Sequence, residues 1–425
     1  MMARTAADLT SATRRVRRRL LPFLFLLYIV AYLDRINVGF AALQMNQTLG
    51  FSARTYGLGA GIFFLSYVAF EIPSNLILAR VGARLWIARI MISWGLVSAA
   101  MMFIRGAAGF YALRFLLGAA EAGFFPGLIF YLTRWFPAGE RARTIAGFMT
   151  AALVAGIVGG PLSGALLSLE GIAGLAGWQW LFLLEGLPAV GLGLIVLAAL
   201  PEGPEDATWL PDSERRALSA CLAEESAARR GQPHSLAAAL TSGRIWLLAV
   251  VYFSLPVALY AMSFWLPQII KSSSGGSNLT VGLLSAIPYL FGAIGMVIVG
   301  RHSDRTGERR WHVALSTLVG GIAFAACAWV SALVPSIVLL SIAMIGLASM
   351  LGPFWTLATS SVRGVGAAAG IALINSVGNI GGFVGPYIIG YALDTTGGFG
   401  AGLVMVGAIL AGGGLLVLAA REWGQ

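Results

Sequence analysis

Residues Leu20–Ala42 read LLPFLFLLYIVAYLDRINVGFAA. A membrane-spanning helix needs roughly 20 predominantly apolar residues, and this run supplies them. Yet it carries an adjacent acid and base, Asp34 and Arg35, about two-thirds of the way along. A charge at mid-bilayer costs about 2.5–3.5 kcal/mol on insertion scales, so charges placed there pair with one another and line pathways. A second apolar run, near 110–132, holds Arg114 and Glu121. Two acids and two arginines in an otherwise greasy chain have the makings of a site for an anion and a proton.

The rest of the chain repeats the pattern of the first run. Of 425 residues, 58% are hydrophobic and 11% charged, and the mean hydropathy is +0.84. Soluble domains carry about 25% charged residues. The fold class expected is an all-α membrane protein with twelve spans. They fall near 20–42, 56–79, 85–105, 110–132, 145–168, 178–200, 245–270, 282–300, 312–331, 336–357, 366–390 and 400–420. No small-residue cleavage site follows the first run, so no cleavable leader is expected. With both termini cytoplasmic, 23 basic residues lie inside and three outside (Arg54, Arg105, Lys271). Basic residues favour the cytoplasmic side, which fixes the expected topology. It also accounts for the net charge of +10, leaving no reason to infer a nucleic-acid partner. The two cysteines, Cys221 and Cys327, fall in a loop and a span and are not expected to pair. His234, His302 and His312 lack metal-ligand spacing, so neither metal nor cofactor is expected. No G-x-x-x-x-G-K-[ST] loop is present, which argues against a primary pump, and no nucleophile–base set suggests an enzyme.

A repeat divides the chain. Arg80-Val-Gly82-Ala-Arg84-Leu-Trp86 recurs as Arg305-Thr-Gly307-Glu-Arg309-Arg-Trp311, an offset of 225 residues. Repeats of six spans are a transporter signature. The expected organisation is a six-helix bundle over 1–200, a charged linker over 201–244 and a second bundle over 245–425. Within the linker, Pro211-Asp-Ser-Glu-Arg-Arg is expected to open a short surface helix.

These stretches resemble the major facilitator superfamily. The second repeat copy, from Gly300 through Asp304, Arg305 and Gly307 to Arg310, is similar to its signature loop. The first copy departs from it, with Asn75 for the usual glycine and Ala79 for the usual aspartate. Four further stretches resemble the anion:cation symporter family, whose members include tartrate, galactonate and phthalate permeases. They are Tyr32-Leu-Asp34-Arg35-Ile-Asn37, Glu71-Ile-Pro73-Ser74-Asn75, Arg114 through Gly118 to Glu121 and Gly123, and Asn375 through Gly378 and Asn379 to Pro386. The resemblance covers all twelve spans. It implies that the first and fourth helices face a central cavity, that Arg35 anchors substrate, and that Asp34 and Glu121 are protonatable. It also implies gating by Arg80, Arg84, Asp304, Arg305 and Arg309.

Spacing adds candidates. Arg114 and Glu121, seven residues apart, share a helix face and are separated by about 10 Å along the axis. Arg114 is therefore expected to be a movable partner for Glu121 or Asp34 and to join Arg35 in attracting an anion. The bland alternative is a salt bridge that only locks the bundle. Arg35 offers the planar fork that matches a carboxylate. Tyr32 shares its face at i, i+3, and Tyr67 is a further polar-tipped aromatic; both are expected at the substrate, with ordinary packing the alternative. Tyr28 reads as packing. Asn375 and Asn379, at i, i+4, are expected to contact substrate or water, and Ser360 and Ser361 are further candidates. Glu71 reads as a gate partner, and Trp265 and Trp355 as packing or gate residues. Gly147, Gly156, Gly160, Pro161 and Gly164 resemble a pattern of proton-coupled drug antiporters. The same device recurs at Gly381, Gly385 and Pro386, which favours close packing and hinging in both halves. The expected function is proton-coupled import of an organic anion such as a sugar acid, tartrate-like dicarboxylate or aromatic carboxylate, by a monomer in the inner membrane. Efflux and a non-transporting sensor on the same fold are the alternatives.

Overall fold

The computed structural model describes residues 2–229, 236–361 and 367–420. Arg230, His234, Arg363 and Arg421, counted above, lie outside the described residues. So do the side chains of Arg4, Arg143, Arg229 and Ser361.

Apart from four single 3₁₀ turns, the described elements are α-helices. In the first half they are α1 (Met2–Leu49), α2 (Ala53–Val81), α3 (Ala83–Ala100), α4 (Ala107–Glu121), α5 (Phe124–Thr133), α6 (Ala138–Met149), α7 (Ala151–Leu167) and α8 (Gly177–Ala199). Two connecting helices follow, α9 (Asp212–Arg229) and α10 (Leu236–Thr241). The second half contains α11 (Gly243–Ser274), α12 (Asn278–Thr306), α13 (Arg310–Ala326), α14 (Leu333–Ser361), α15 (Ala367–Thr396) and α16 (Gly400–Ala419). Among the described residues, twelve stretches are long and apolar enough to cross a membrane. In the fourth, α4 and α5 form a single span, and in the fifth α6 and α7 do.

The repeat extends to helix ends. α2 and α12 both have 29 residues. Ser52 caps α2 by accepting from Thr55 N at 3.1 Å, and Ser277 caps α12 by accepting from Thr280 N at 3.2 Å. Each helix stops at a glycine with positive φ, Gly82 at 92° and Gly307 at 70°. A hydroxyl at the N-cap and glycine just past the C-terminus are what helix ends require.

The twelve spans form two pseudo-symmetric six-helix bundles. In the first, α3 packs on α8 and α2 on α4; in the second, α13 packs on α16 and α12 on α14. Between bundles, α2 lies along α15, α7 along α12, and α1 against α11. Apolar side chains also cover the outside. On α13, Trp311, Leu315, Val319 and Ile322 are exposed while Val313, Thr317 and Phe324 face inward. Such a face suits lipid, where the backbone polar groups must be satisfied within the helix. Prolines such as Pro161, Pro288 and Pro386 nonetheless sit inside spans, where neighbouring helices can satisfy the backbone groups they free.

Three features differ from the sequence reading. α1 is one helix from Met2, and its leading turns leave the apolar span to pack on the connecting segment. Ser11 Oγ and Arg15 Nε reach the Glu214 carboxylate at 2.7 and 3.0 Å, and Arg19 lies 5.1 Å over the Trp209 ring. The expected short surface helix is the 18-residue α9. The fourth span is broken directly after Glu121.

Candidate functional site

Arg35 occupies the junction of the two bundles. Its guanidinium is paired with Glu121 of α4 through Nη2, and Nη1 donates to Tyr260 Oη of α11 at 3.0 Å. Nε has no hydrogen-bond partner. Phe63 and Tyr67 of α2 flank the guanidinium, each ring centroid 5.5 Å away. The Arg35 side chain keeps 11% of its surface accessible and Glu121 only 2%. Taking an ion pair out of water costs several kcal/mol per ion, and removing one partner leaves an uncompensated charge. The fork is therefore held by Glu121 until something neutralises that acid or offers a competing carboxylate.

Tyr260 was missed in the sequence. It lies 225 residues from Arg35, so it is the repeat counterpart of the arginine it meets. The repeat offset was the signal that could have found it.

The expected partnership of Arg114 is corrected. Arg114 is fully buried and donates to backbone carbonyls of α2, Gly59 O at 3.4 Å and Ala60 O at 3.0 Å. Phe63 and Phe264 cover it at 5.0 and 5.8 Å. Glu121 is instead taken by Arg35. The cause is the spacing: seven residues of helix separate the two by about 10 Å, and α2 offers carbonyls closer at hand. Nor is Asp34 paired with Arg114. It points away from Arg35 into the first bundle, accepting from Ser98 Oγ of α3 and from Asn37 Nδ2, the latter at 3.2 Å. The near-right-angle divergence of adjacent helical residues separates Asp34 from Arg35 in this way.

The break after Glu121 is built by neighbours. Ala122 leaves the helix with ψ 129°, and Gly123 is left-handed at φ 87°. Ser74 of α2 donates to Ala122 O at 2.6 Å and accepts from Trp86 Nε1 at 3.0 Å. A Cβ on Gly123 would lie 2.3 Å from Ser74 Oγ. Discontinuous helices form ligand sites in transporters because their ends expose unpaired backbone groups.

Across the bundle junction, Asn375 Nδ2 donates to Glu71 Oε1 at 3.2 Å, and Asn379 lies close to the same carboxyl. The two asparagines thus share a face and are joined to α2 by an acid read as a gate partner. Tyr32 lies with Leu33, Ile36 and Ala155 in a small apolar cluster. Tyr67 lines Arg35. Tyr28 packs against Phe125 and Phe148. Trp265 Nε1 donates to Pro386 O at 3.1 Å, tying α11 to α15. Trp355 packs on Tyr252 and Phe354. Ser360 Oγ donates to Leu357 O at 2.9 Å.

Of the residues read as gating, Arg309 pairs with Asp304 at 2.8 Å and Ser303 Oγ at 2.7 Å. Arg80, Arg84 and Arg305 are exposed. Glu308 caps α13, accepting from Trp311 N at 2.7 Å and contacting His312 Nδ1 at 2.8 Å. Burial pushes the Glu308 carboxyl up, but these hydrogen bonds outweigh it and hold it below the ordinary glutamate value. In the first half Glu202 does the capping, accepting from Ala83 N and Arg84 N at 3.2 and 3.1 Å.

At the membrane face opposite the termini, the two bundles touch backbone to backbone. A Cβ on Gly160 of α7 would lie 2.4 Å from Gly282 O of α12, and one on Gly57 of α2 would lie 2.6 Å from Pro386 O of α15. Asp394 of α15 accepts from Ala53 N and Arg54 N, at 3.0 and 2.8 Å, capping α2 across the junction. Toward the terminal face, Gly147 and Gly300 meet nothing within 4 Å.

Comparison with known proteins agrees with this architecture. Residues 24–386 match the Major Facilitator Superfamily. A putative tartrate transporter of Agrobacterium vitis is 50% identical over 94% of this chain and 92% of its own. A quinolone resistance transporter of Acinetobacter baumannii is 43% identical over 93% of this chain and 92% of its own. Among solved structures, a bacterial homolog of the human lysosomal transporter Spinster, inward-facing and occupied, superposes with a TM-score of 0.74. It is 18% identical, with 96% of each chain covered, and shares the fold. From its twelve spans in two related bundles and its match over residues 24–386, the chain belongs to the Major Facilitator Superfamily and is a membrane transporter, not an enzyme.

Proposed function

We propose that this protein imports an organic anion together with a proton across the inner membrane, by alternating access and as a monomer, with both termini cytoplasmic. The substrate is a carboxylate of the sugar-acid, tartrate-like or aromatic class. The tartrate transporter among its relatives supports an organic anion. The observation that carries the mechanism is the buried Arg35–Glu121 pair.

Substrate carboxylate and Glu121 compete for one guanidinium. An anion arriving alone strands Glu121 as a buried, unpaired charge, which is strongly unfavourable. A proton on Glu121 removes that cost and frees Arg35. Proton and anion therefore bind together more readily than either alone. Asp34 supplies a second protonatable group. Tyr67, Asn375 and Asn379 line the substrate, and Tyr32 supports Arg35 from the same helix. Arg114 adds positive potential from behind α2. The bundles at 1–200 and 245–425 rock about this site, joined by 201–244. The close contact opposite the termini corresponds to a carrier open toward the cytoplasm. Arg80, Arg84, Asp304, Arg305 and Arg309 form contacts at the cytoplasmic face when that side closes.

Uptake of labelled carboxylates into proteoliposomes under an imposed pH gradient tests the reading. Accumulation that follows an acidic exterior supports symport. Accumulation driven only when the gradient is reversed supports export, the second reading, which the quinolone resistance relative favours. Carboxylate binding with no flux in either direction identifies a sensor.

A further inference from the structure

Behind α1, on the side away from Arg35, lies a second group of buried acids. Asp34 and Asn37 of α1 are each 1% exposed, and Glu185 of α8 is 5% exposed. Asp34 Oδ1 accepts from Ser98 Oγ and from Asn37 Nδ2. Glu185 Oε1 accepts from Ser163 Oγ of α7 at 2.8 Å. The Asn37 amide also lies close to the Glu185 carboxyl, so it stands between the two acids. Three oxygens of this group have no partner: Asp34 Oδ2, Asn37 Oδ1 and Glu185 Oε2. All three are acceptors. Buried polar atoms are seldom left unpaired, and what is missing here is a donor.

The surrounding charges do not provide one. Arg35 is engaged by Glu121 and Tyr260. Arg114 acts on Asp34 only through its field and donates to Gly59 and Ala60. From α3 and α7 the groups facing the acids are the hydroxyls of Ser98 and Ser163, and from α4 the further charge is the Glu121 carboxylate. Two neighbouring buried carboxyls without a bound cation cannot both ionise at an ordinary pH.

We propose that Asp34, Asn37 and Glu185 form a proton-binding site within the first bundle, separate from the Arg35–Glu121 pair, in which the two carboxyls share a proton through Asn37. A proton on either carboxyl supplies the missing donor, and the amide can turn to serve whichever acid is charged. Glu185 is thus a positioning and proton-sharing residue for Asp34. For its role in transport this inference rests on the symport reading above. The site itself does not.

Two measurements separate the two claims. Infrared spectra of purified wild type and Glu185→Gln compare protonated carboxyl groups directly. The expected wild-type-minus-variant difference contains a lost C=O component that shifts on deuterium exchange. No lost component at any pH overturns the site, whatever the transport result. In proteoliposomes, the pH of half-maximal uptake is compared for wild type, Glu185→Gln, Glu185→Asp and Ser163→Ala. Glu185→Gln removes a neighbouring negative charge and should move that pH downward. Ser163→Ala removes a donor to the ionised form and should move it upward. Glu185→Asp should restore most of the wild-type profile. A merely structural role changes the amount of uptake but not its pH, and unshifted profiles in the folded variants overturn the proposal. If Glu185→Gln does not fold, the upward shift in Ser163→Ala decides. Exchange of sodium for choline should leave every profile unchanged; dependence on sodium in place of pH also overturns it. Should wild-type uptake lack pH dependence altogether, the symport reading fails while the infrared result still judges the site.

Discussion

Arg35 is the residue on which the account turns. A lysine there keeps the charge but not the two-pronged geometry. With a charge-assisted hydrogen bond contributing about 1.5–3 kcal/mol, Arg35→Lys is expected to weaken carboxylate binding by roughly tenfold or more, measured by calorimetry on purified protein. Near-normal affinity would remove Arg35 from the site. Glu121→Gln keeps hydrogen bonding to Arg35 but cannot titrate, so it should mimic the protonated carrier. Substrate exchange should continue while pH-driven accumulation is lost, and accumulation by the variant would shift the coupling role elsewhere. The four intramembrane charges were legible because apolar runs make them conspicuous. Their partners were not. Arg114 reaches carbonyls of α2, and Asp34 reaches Ser98 on α3; such choices depend on how helices pack, which residue spacing along one helix does not encode. Glu185 is as conspicuous as those four, an acid within the apolar run 178–200, but it belongs to no motif and only its bond to Ser163 Oγ marks it as part of a group.

Among the elements, the fourth span shows what periodicity hides. Its apolar run gives no sign of a break, because Gly123 among small residues reads as ordinary helix packing. Only Ser74 on α2, bonded to Ala122 O, reveals that the chain turns there. Gly123→Ala should strain a left-handed backbone and collide with Ser74. The expected cost is about 1–3 kcal/mol, read as a lower thermal midpoint in detergent, and an unchanged midpoint would contradict the geometry. Helix ends carry a more local signal: Ser52, Gly82, Ser277 and Gly307 are cap residues by type, although the apolar runs 56–79 and 282–300 stop short of them. The loop before α13 adds a pH dependence of known sign. The Glu308 carboxyl is held below its usual value, so its cap stabilises α13 above the ordinary glutamate range and is lost as pH falls through the lowered value. Amide exchange at Trp311 and His312 should accelerate only in that acidic range.

For the whole molecule, the offset of 225 residues relates the bundles down to cap residues and places Arg35 against its counterpart Tyr260. The bundle architecture was therefore readable from a short repeated motif. Which face is closed was not, because closure depends on glycines such as Gly160 and Gly282 meeting across the junction. Asp394 reinforces that closure by capping α2, a contact of the kind that contributes about 0.3–1 kcal/mol. Asp394→Ala should shift the population toward a carrier open at the face opposite the termini, seen as longer spin-label distances there; unchanged distances would deny the cap a role in closure. The central claim is that a proton on Glu121 admits the anion by freeing Arg35, with Asp34 as a second protonatable group. Its most direct test is substrate affinity measured across about pH 5 to 8 in wild type and in the Asp34→Asn, Glu121→Gln double variant. Affinity should rise as pH falls in the wild type and lose that dependence in the double variant, whereas the same pH slope in both would contradict the mechanism.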